Sequence, residues 1–302
     1  REYTNLAKAL NGEVIYISEN SQSHLNPLDI AIGGDEDPIK EKYNFFLSFF
    51  ETIMGKSGVL PEQKTVIDNV LHEVYRDYLL NPNSENVPTL GNYYDILAKR
   101  AEENSEAKSL LLSLELYVKG SMATFNAQSN VNINNRVVVY DIKDLGKQLK
   151  PLGLMIVLEN LWNSMAQNRT EKRNTYIYID EIYLLFRNEE SANFLYELWK
   201  RARKWGGVPT GITQNVEDCL QSKTARSMIA NSEFILMLNQ AASDREHLAK
   251  MLKISDTSMQ YVIGAAAGSG LMFAGGNGII PFKDQFPTNT KLYNLMTTRF
   301  GE

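Results

Sequence analysis

The spacing of hydrophobic residues changes along the chain and divides it into three stretches. Residues 3–10 carry apolar side chains at helical spacing, and residues 14–17 then form a short apolar run typical of a strand. Between residues 35 and 130, apolar residues recur three or four positions apart, which predicts helices. Beyond this stretch, short apolar runs alternate with helical patterns. We therefore predict an all-α insertion, residues 35–130, in an α/β domain formed by residues 1–34 and 131–302.

The α/β stretch contains four further apolar runs of strand length, separated by helical patterns. They cover residues 137–142, 176–180, 208–213 and 234–238. Because strands that alternate with helices pair in parallel through right-handed crossovers, we predict a parallel sheet with helices on both faces. Two later segments, residues 270–274 and 278–282, flank the Asn277-Gly278 pair and predict a C-terminal β-hairpin.

The composition is that of an ordinary globular protein. Of 302 residues, 43% are hydrophobic and 22% are charged, which permits a large core. The longest apolar run, residues 152–158, is shorter than the roughly 20 residues that cross a bilayer, so we expect neither a membrane span nor a signal peptide. Cys219 is the single cysteine, which excludes an intramolecular disulfide and fits a reducing cytosol. The net charge of -5 leaves DNA binding open but does not indicate it.

A strand that ends in two adjacent acids is the strongest chemical signal in the sequence. Residues 176–179 read Tyr-Ile-Tyr-Ile, and Asp180 and Glu181 follow. In open α/β sheets, ligands bind at the carboxyl ends of strands. Nucleotide hydrolysis at such a site would use Asp180 in the shell of a metal ion and Glu181 to orient the attacking water. The alternative is structural, because a strand that leaves the core often ends at an acid that caps the next helix.

Polar groups on both sides of the next strand extend this signal. Gln214 follows residues 208–213 directly, where an amide can contact both a γ-phosphate and the lytic water, unless it only caps the following helix. Before the strand, a helix ends in a basic turn that contains Arg201, Arg203 and Lys204. These residues either interact with the helix dipole and solvent, or Arg203 or Arg201 reaches a nucleotide held by a neighbouring subunit.

The loop that cradles phosphates in many nucleotide hydrolases is missing from the sequence. Such a loop reads Gly-x-x-x-x-Gly-Lys-Ser/Thr after a strand, so that backbone amides surround the phosphates. The only Gly-Lys-Ser here, residues 55–57, follows a helical pattern, and Phe50 stands where the first glycine should be. We therefore predict that Lys56 is a loop residue and not a phosphate ligand.

Taken together, several segments resemble the large VirB-type ATPases, the VirB-four family of type IV secretion and conjugation systems, within the HerA/FtsK class of RecA-like motors. The segments are, in chain order, Arg1-Glu2-Tyr3, Ile15-Tyr16-Ile17, Asn26-Pro27-Leu28-Asp29, Phe125-Asn126, Tyr140-Asp141, the strand to Asp180-Glu181, Arg203-Lys204-Trp205-Gly206-Gly207 and Gly211-Ile212-Thr213-Gln214-Asn215. The match covers most of the chain, and the last three segments in that order are fairly specific.

This resemblance implies a RecA-like P-loop NTPase fold with ATP and Mg²⁺ as ligands, and a Walker A loop immediately before residue 1. It implies that Asp180 binds magnesium through water and that Glu181 and Gln214 act in catalysis. It also implies that Arg203, with Arg201 and Lys204, approaches the nucleotide. The expected place is the cytoplasmic face of the bacterial inner membrane, where a peripheral homo-oligomer such as a hexamer would work with other secretion subunits, including a coupling protein.

Two other functions compete with this ATPase motor. A DNA-translocating, coupling-type motor of the same superfamily would use identical local chemistry, although the net charge of -5 argues mildly against it because DNA binding depends on Lys and Arg contacts to phosphates. A non-catalytic secretion scaffold is consistent with the missing Walker A loop, whereas the retained acids and amide argue against it. The sequence favours a motor domain that energises a type IV secretion apparatus by hydrolysing Mg-ATP.

Overall fold

The computed structural model describes residues 3–32, 37–83, 85–131, 133–214, 216–239, 242–275 and 278–297. Its helices are α1 (Thr4–Ala9), α2 (Pro38–Met54), α3 (Pro61–Leu80), α4 (Leu90–Ala101), α5 (Ser105–Val118), α6 (Lys150–Thr170), α7 (Glu189–Ala202), α8 (Val216–Gln221), α9 (Lys223–Ala230), α10 (Ala242–Leu252), α11 (Asp256–Met259) and α12 (Lys291–Met296). Its strands are β1 (Glu13–Tyr16), β2 (Val138–Asp141), β3 (Thr175–Ile179), β4 (Gly207–Gly211), β5 (Phe234–Met237), β6 (Ser269–Ala274) and β7 (Ile279–Lys283). None of the helices in these ranges combines the length and the apolar character that crossing a bilayer requires. Arg1, Glu2, Asn215 and Asn277 lie outside the described residues.

The described strands form three hydrogen-bonded groups. β1 pairs with β2 in parallel, and β3 pairs with β4 in parallel, as the alternation of strands and helices predicts. β5, β6 and β7 form an antiparallel group, in which β6 and β7 are the predicted hairpin. The sequence predicts residues 234–238 as a further strand of the parallel sheet, whereas β5 hydrogen-bonds to β6 in the antiparallel sense. The hairpin strand β6 pairs with β5 over four residues. The spacing of hydrophobic residues within β5 does not predict which strand β5 pairs with.

Aromatic side chains of α2 form the centre of the helical segment. Pro38 is the first residue of α2, and Asp37 caps the helix by accepting a hydrogen bond from the Ile39 amide at 3.0 Å. The three- and four-residue spacing then places one side of the helix inward. The rings on that side are all 0% exposed: Phe45, Phe46, Phe49 and Phe50. Burial of each ring contributes about 1.5–3 kcal/mol, so this cluster is a main source of stability for the segment.

The hydrophobic core of the helical segment continues into the α/β part. Ile15 of β1 and Met155 of α6 belong to the same cluster of buried residues as the α2 rings. A second cluster joins α6, β3 and α7 through residues such as Met165, Ile177 and Leu195. Helix α6 thus contributes buried residues both to the core of the helical segment and to the cluster that contains β3 and α7. Because one cluster contains buried residues of both parts, the hydrophobic core does not mark a domain boundary near residues 35 and 130. The division into two domains therefore stays a prediction.

Candidate functional site

Parallel pairing of β3 with β4 brings the predicted polar residues to one edge of the sheet. The register pairs Ile179 with Gly211, the last residues of the two strands. Hydrogen bonding continues beyond them, because the Ile212 amide donates to the Ile179 carbonyl at 2.8 Å and the Ile182 amide donates to the Ile212 carbonyl at 3.0 Å. The acid pair is therefore fixed beside Ile212, two positions before Gln214.

Asp180 is exposed just beyond β3, and both of its carboxylate oxygens accept hydrogen bonds. The Glu181 amide donates to Oδ1 at 2.9 Å, and the Tyr3 hydroxyl donates to Oδ2 at 2.9 Å. Tyr3 lies immediately before α1, 177 positions earlier in the chain. The sequence assigns Tyr3 to a helical stripe and carries no signal for this contact, because the partner of a hydroxyl group leaves no periodic pattern. The two hydrogen bonds hold the Asp180 carboxylate in one orientation.

Glu181 is half-buried and has an unusual backbone conformation. Its φ angle is 51°, in the left-handed region that residues other than glycine seldom adopt. The chain then enters a 3₁₀ segment, Ile182–Arg187. Within this segment, the nearby Glu181 carboxylate raises the pKa of Tyr183 above its usual value.

Gln214 lies in an exposed bend after β4. Because β3 and β4 are parallel neighbours, this bend is at the edge that carries Asp180 and Glu181. Helix α8 begins two positions later, and its buried residues Val216 and Cys219 anchor the segment that follows Gln214. Two carboxylates and one amide thus follow neighbouring strand ends, an arrangement suited to positioning a water molecule against a phosphate.

The basic turn lies at the opposite end of the same strands. Arg203 and Lys204 are exposed in a 3₁₀ turn, Arg203–Trp205, that directly precedes β4. In a parallel pair, the residues before β4 lie near the start of β3, and the Thr175 amide indeed donates to the Gly206 carbonyl at 2.9 Å. Within one chain, the structure therefore does not bring Arg203 and Lys204 to the acid edge.

Arg201 is engaged by residues outside the acid edge. Its two terminal nitrogens donate to the two carboxylate oxygens of Glu41 in α2, at 3.0 and 3.1 Å. The guanidinium group also lies over the ring of Trp162 in α6, with 4.5 Å between its central carbon and the ring centre. Bidentate pairing and stacking are the contacts in which arginine is most specific. Arg201 therefore ties α7 to α2 and α6.

The acid edge offers part of what a magnesium–nucleotide complex requires. Mg²⁺ is bound by oxygen atoms, commonly one or two carboxylates with several waters, and Asp180 supplies such an oxygen in an exposed position. In the part of the chain that the structure describes, no group of three or more His, Cys, Asp or Glu residues could hold a metal ion. Lys56 lies in an exposed 3₁₀ turn, Gly55–Ser57, after helix α2, so it is not placed to cradle a phosphate.

Comparison with known proteins agrees with the fold. The family of TraG P-loop domains matches residues 1–268. The structure of VirB4 of Thermoanaerobacter pseudethanolicus is similar, with a TM-score of 0.77 and 23% identity over 94% of this chain and 79% of that chain. The bacterial conjugative coupling protein TrwBdeltaN70 is similar with a TM-score of 0.53 and 15% identity, over 93% of this chain and 79% of that chain. No curated protein sequence matches.

At these identities, the solved structures establish the fold alone. They confirm the predicted α/β fold. Together with the family match, they confirm the predicted resemblance to VirB-type P-loop proteins. The family match extends over most of the chain, from the first residue through the acid pair, Gln214 and β5. The chain therefore belongs to the family of TraG P-loop domains.

Proposed function

We propose that this domain hydrolyses Mg-ATP and so drives a type IV secretion or conjugation apparatus. One observation carries the proposal: Asp180, Glu181 and Gln214 follow the ends of two neighbouring parallel strands and lie at one edge of the sheet. Membership of the TraG P-loop domain family supports nucleotide chemistry, and the likeness in fold to VirB4 supports a role in secretion.

Each residue at the acid edge has a role in this proposal. Asp180 holds magnesium through water, and the bound ion neutralises phosphate charge. Glu181 accepts a hydrogen bond from the attacking water and orients it toward the γ-phosphate. Gln214 donates its amide to the γ-phosphate and so responds to its loss. Catalysis of this kind depends on positioning and on electrostatic stabilisation rather than on covalent chemistry.

In this proposal, Arg203 acts on the nucleotide of a neighbouring subunit. The exposed turn that carries Arg203 and Lys204 is remote from the acids of its own chain, so it acts on a nucleotide bound by a neighbouring copy. An arginine supplied in this way stabilises charge in the transition state of phosphoryl transfer. The assembly is a homo-oligomer such as a hexamer, at the cytoplasmic face of the bacterial inner membrane, and it works with other secretion subunits, including a coupling protein. Arg201, which is bound to Glu41, contributes by holding α7 in place.

The phosphate cradle is proposed to come from polypeptide outside the 302 residues. The Gly55–Ser57 turn does not form one. The β3–β4 pair also presents an exposed apolar side, on which Tyr176 is 62% and Tyr178 is 69% exposed. These residues alternate with the buried Ile177, so further polypeptide can pack against this side. We therefore expect the 302-residue chain alone to bind ATP much more weakly than the full-length protein, as measured by calorimetry.

The test of the catalytic assignment is substitution of Glu181 with glutamine in the full-length protein. We expect turnover to fall by a factor of about 10² or more, since general-base positioning contributes roughly 10²–10⁴-fold, while ATP affinity changes little. Phosphate release and equilibrium ATP binding are measured on the same samples. Glu197→Gln is the matched control, because Glu197 is an exposed residue of α7 away from the acid edge. Wild-type turnover in Glu181→Gln would refute the assignment, and absence of turnover in the unmodified protein would favour a non-catalytic scaffold.

A DNA-translocating, coupling-type motor is the second candidate, because the fold is also similar to that of the coupling protein TrwBdeltaN70. The two candidates share the proposed ATP chemistry and differ in their interaction with DNA. Binding of duplex DNA that weakens steeply between 50 and 200 mM salt, as it does by roughly 10³–10⁵-fold for proteins with several phosphate contacts, would favour the translocase. Weak binding that is insensitive to salt would favour the secretion motor.

A further inference from the structure

Tyr3 connects the two parallel pairs of strands. Its hydroxyl donates a hydrogen bond to Asp180 Oδ2 at 2.9 Å. Tyr3 directly precedes α1, which leads into β1 and so belongs with the β1–β2 pair. Asp180 follows β3 and belongs with the β3–β4 pair. The hydrogen bond therefore joins one parallel pair to the candidate metal ligand at the end of the other.

Helix α1 is anchored, so the position of Tyr3 is well defined. The Ala7 amide donates to the Tyr3 carbonyl at 2.9 Å, and Ala7 is buried. After the helix, the Gly12 amide donates to the Ala7 carbonyl at 2.7 Å. The Glu13 amide then donates to the carbonyl of Val137, which directly precedes β2, at 2.8 Å. Helix α1 is thus tied through a tight turn to the β1–β2 pair, and the Tyr3 hydroxyl is presented from a fixed element.

The two donors at Asp180 bind different oxygens of its carboxylate. The Tyr3 hydroxyl binds Oδ2, and the Glu181 amide binds Oδ1 at 2.9 Å. An ionised carboxylate has about four acceptor directions, so both oxygens keep the capacity to accept a hydrogen bond from water. A carboxylate that is held at both oxygens cannot turn freely, whereas removal of the Tyr3 hydroxyl would release one of them. Outer partners of this kind orient metal ligands, and their loss lowers metal affinity or activity by roughly 10–100-fold.

We propose that Tyr3 is a positioning residue for Asp180 and fixes the direction in which this carboxylate meets the water shell of magnesium. The inference rests on the proposed ATP hydrolysis, in which Asp180 holds magnesium through water. Tyr3 acts through Asp180 and contacts neither the nucleotide nor the metal ion. Its loss should therefore change the magnesium requirement of the protein and leave metal-free nucleotide binding unchanged.

The first test is Tyr3→Phe in the full-length protein, a change that removes only the hydroxyl oxygen. We expect the Mg²⁺ concentration for half-maximal ATP hydrolysis to rise roughly 10-fold, at the lower end of the range for outer partners because the metal contact runs through water. Affinity for the Mn²⁺ complex of the non-hydrolysable analogue AMP-PNP, measured by calorimetry, should fall by a similar factor. Affinity for AMP-PNP in EDTA should stay within about twofold of the wild-type value, since the substituted group does not touch the nucleotide.

Tyr16→Phe is the matched control. It removes a hydroxyl group that lies 3.5 Å from Thr4 Oγ1 of the same helix α1. Because Tyr3 and Tyr16 are 40% and 43% exposed, both variants should unfold near the wild-type midpoint. Tyr16→Phe should also keep the wild-type magnesium requirement. An equal rise in this requirement in both variants would mean that the hydroxyl groups only support α1, and it would overturn the inference.

Asp180→Asn separates failure of this inference from failure of the proposed function. The double variant with Tyr3→Phe should require as much magnesium as Asp180→Asn alone, because both changes act through one carboxylate. Multiplicative effects in the double variant would overturn the inference. An unchanged requirement in Tyr3→Phe, with a raised requirement in Asp180→Asn, would also overturn it but leave the proposed function intact. An unchanged requirement in Asp180→Asn would instead defeat the proposed magnesium ligand on which the inference rests.

Discussion

Replacing Lys42 with methionine should destabilise this protein strongly, because the lysine forms a buried ion pair between the helical segment and α6. The Lys42 side chain is 1% exposed, and its Nζ lies 2.5 Å from Glu159 Oε1 and 3.1 Å from the Pro27 carbonyl oxygen. Glu159 itself is 6% exposed. Methionine preserves most of the volume of the lysine stem, so little of the expected loss comes from a cavity. What remains is a carboxylate that is buried without its partner.

The expected cost is about 3–5 kcal/mol, the range observed when one member of a buried ion pair is removed. That is a large share of the roughly 5–15 kcal/mol by which domains are stable. Burial raises the pKa of Glu159, and Lys42 opposes this shift. Without Lys42 the folded protein should take up a proton at Glu159 more readily. The destabilisation should therefore be greatest at alkaline pH and should decrease as the pH falls.

The assay is urea denaturation of Lys42→Met at pH 8 and pH 5, followed by tryptophan fluorescence. The matched variant carries Lys42→Met together with Glu159→Met. Because it removes both charges, we expect it to recover most of the lost stability. A single variant that loses less than about 1 kcal/mol at pH 8, or a double variant as unstable as the single one, would refute the reasoning about the buried carboxylate.

Two further predictions concern Glu190 and the β5–β6 pairing. Burial, with the charge and hydrogen bond of Glu51, raises the pKa of Glu190 to about 7. Because the pKa of this carboxyl group is higher in the folded than in the unfolded state, its contribution to stability is fully present below the unfolded-state pKa. The contribution is lost as the pH rises through the folded-state pKa of about 7. Glu190→Gln should therefore reduce the difference in unfolding midpoint between pH 5 and pH 8, and an unchanged difference would contradict this. Gly270→Ala should lower the free energy of unfolding by about 1–3 kcal/mol, because the new Cβ would collide with the backbone oxygen of Met237. Amide hydrogen exchange in β5 should become faster, and wild-type exchange rates would contradict this prediction.

Much of the fold follows from patterns that are local in the sequence. The strand ending at Asp180 is recognisable because apolar residues run up to two acids, and β4 is recognisable in the same way before Gln214. Parallel pairing of these strands follows from the helix between them, so the shared edge of the acids and the amide was predictable. The roles of these residues in catalysis, and the domain division at residues 35 and 130, stay predictions.

Contacts between distant residues were not predictable from the sequence. Tyr3 and Asp180 are 177 positions apart, and Glu41 and Arg201 are 160 apart, so neither pair leaves a periodic signal. The antiparallel pairing of β5 likewise depends on a partner strand that comes more than 30 residues later. Hydrophobic spacing identifies each element, whereas its partner is decided by tertiary packing.

The length of the β3–β4 pair has a consequence for kinetics. Thr175 and Ile179 are separated by four steps of about 3.3 Å, so roughly 13 Å of strand lies between the acid edge and the start of β4, where Arg203 is found. At physiological ionic strength, charges this far apart at an exposed surface are largely screened from one another. Within one copy, Arg203 is therefore too far from Asp180 and Glu181 to act with them on the same phosphate group. If Arg203 of a neighbouring copy contributes to turnover, specific activity should rise with protein concentration until every copy has a neighbour, and dilution should lower it.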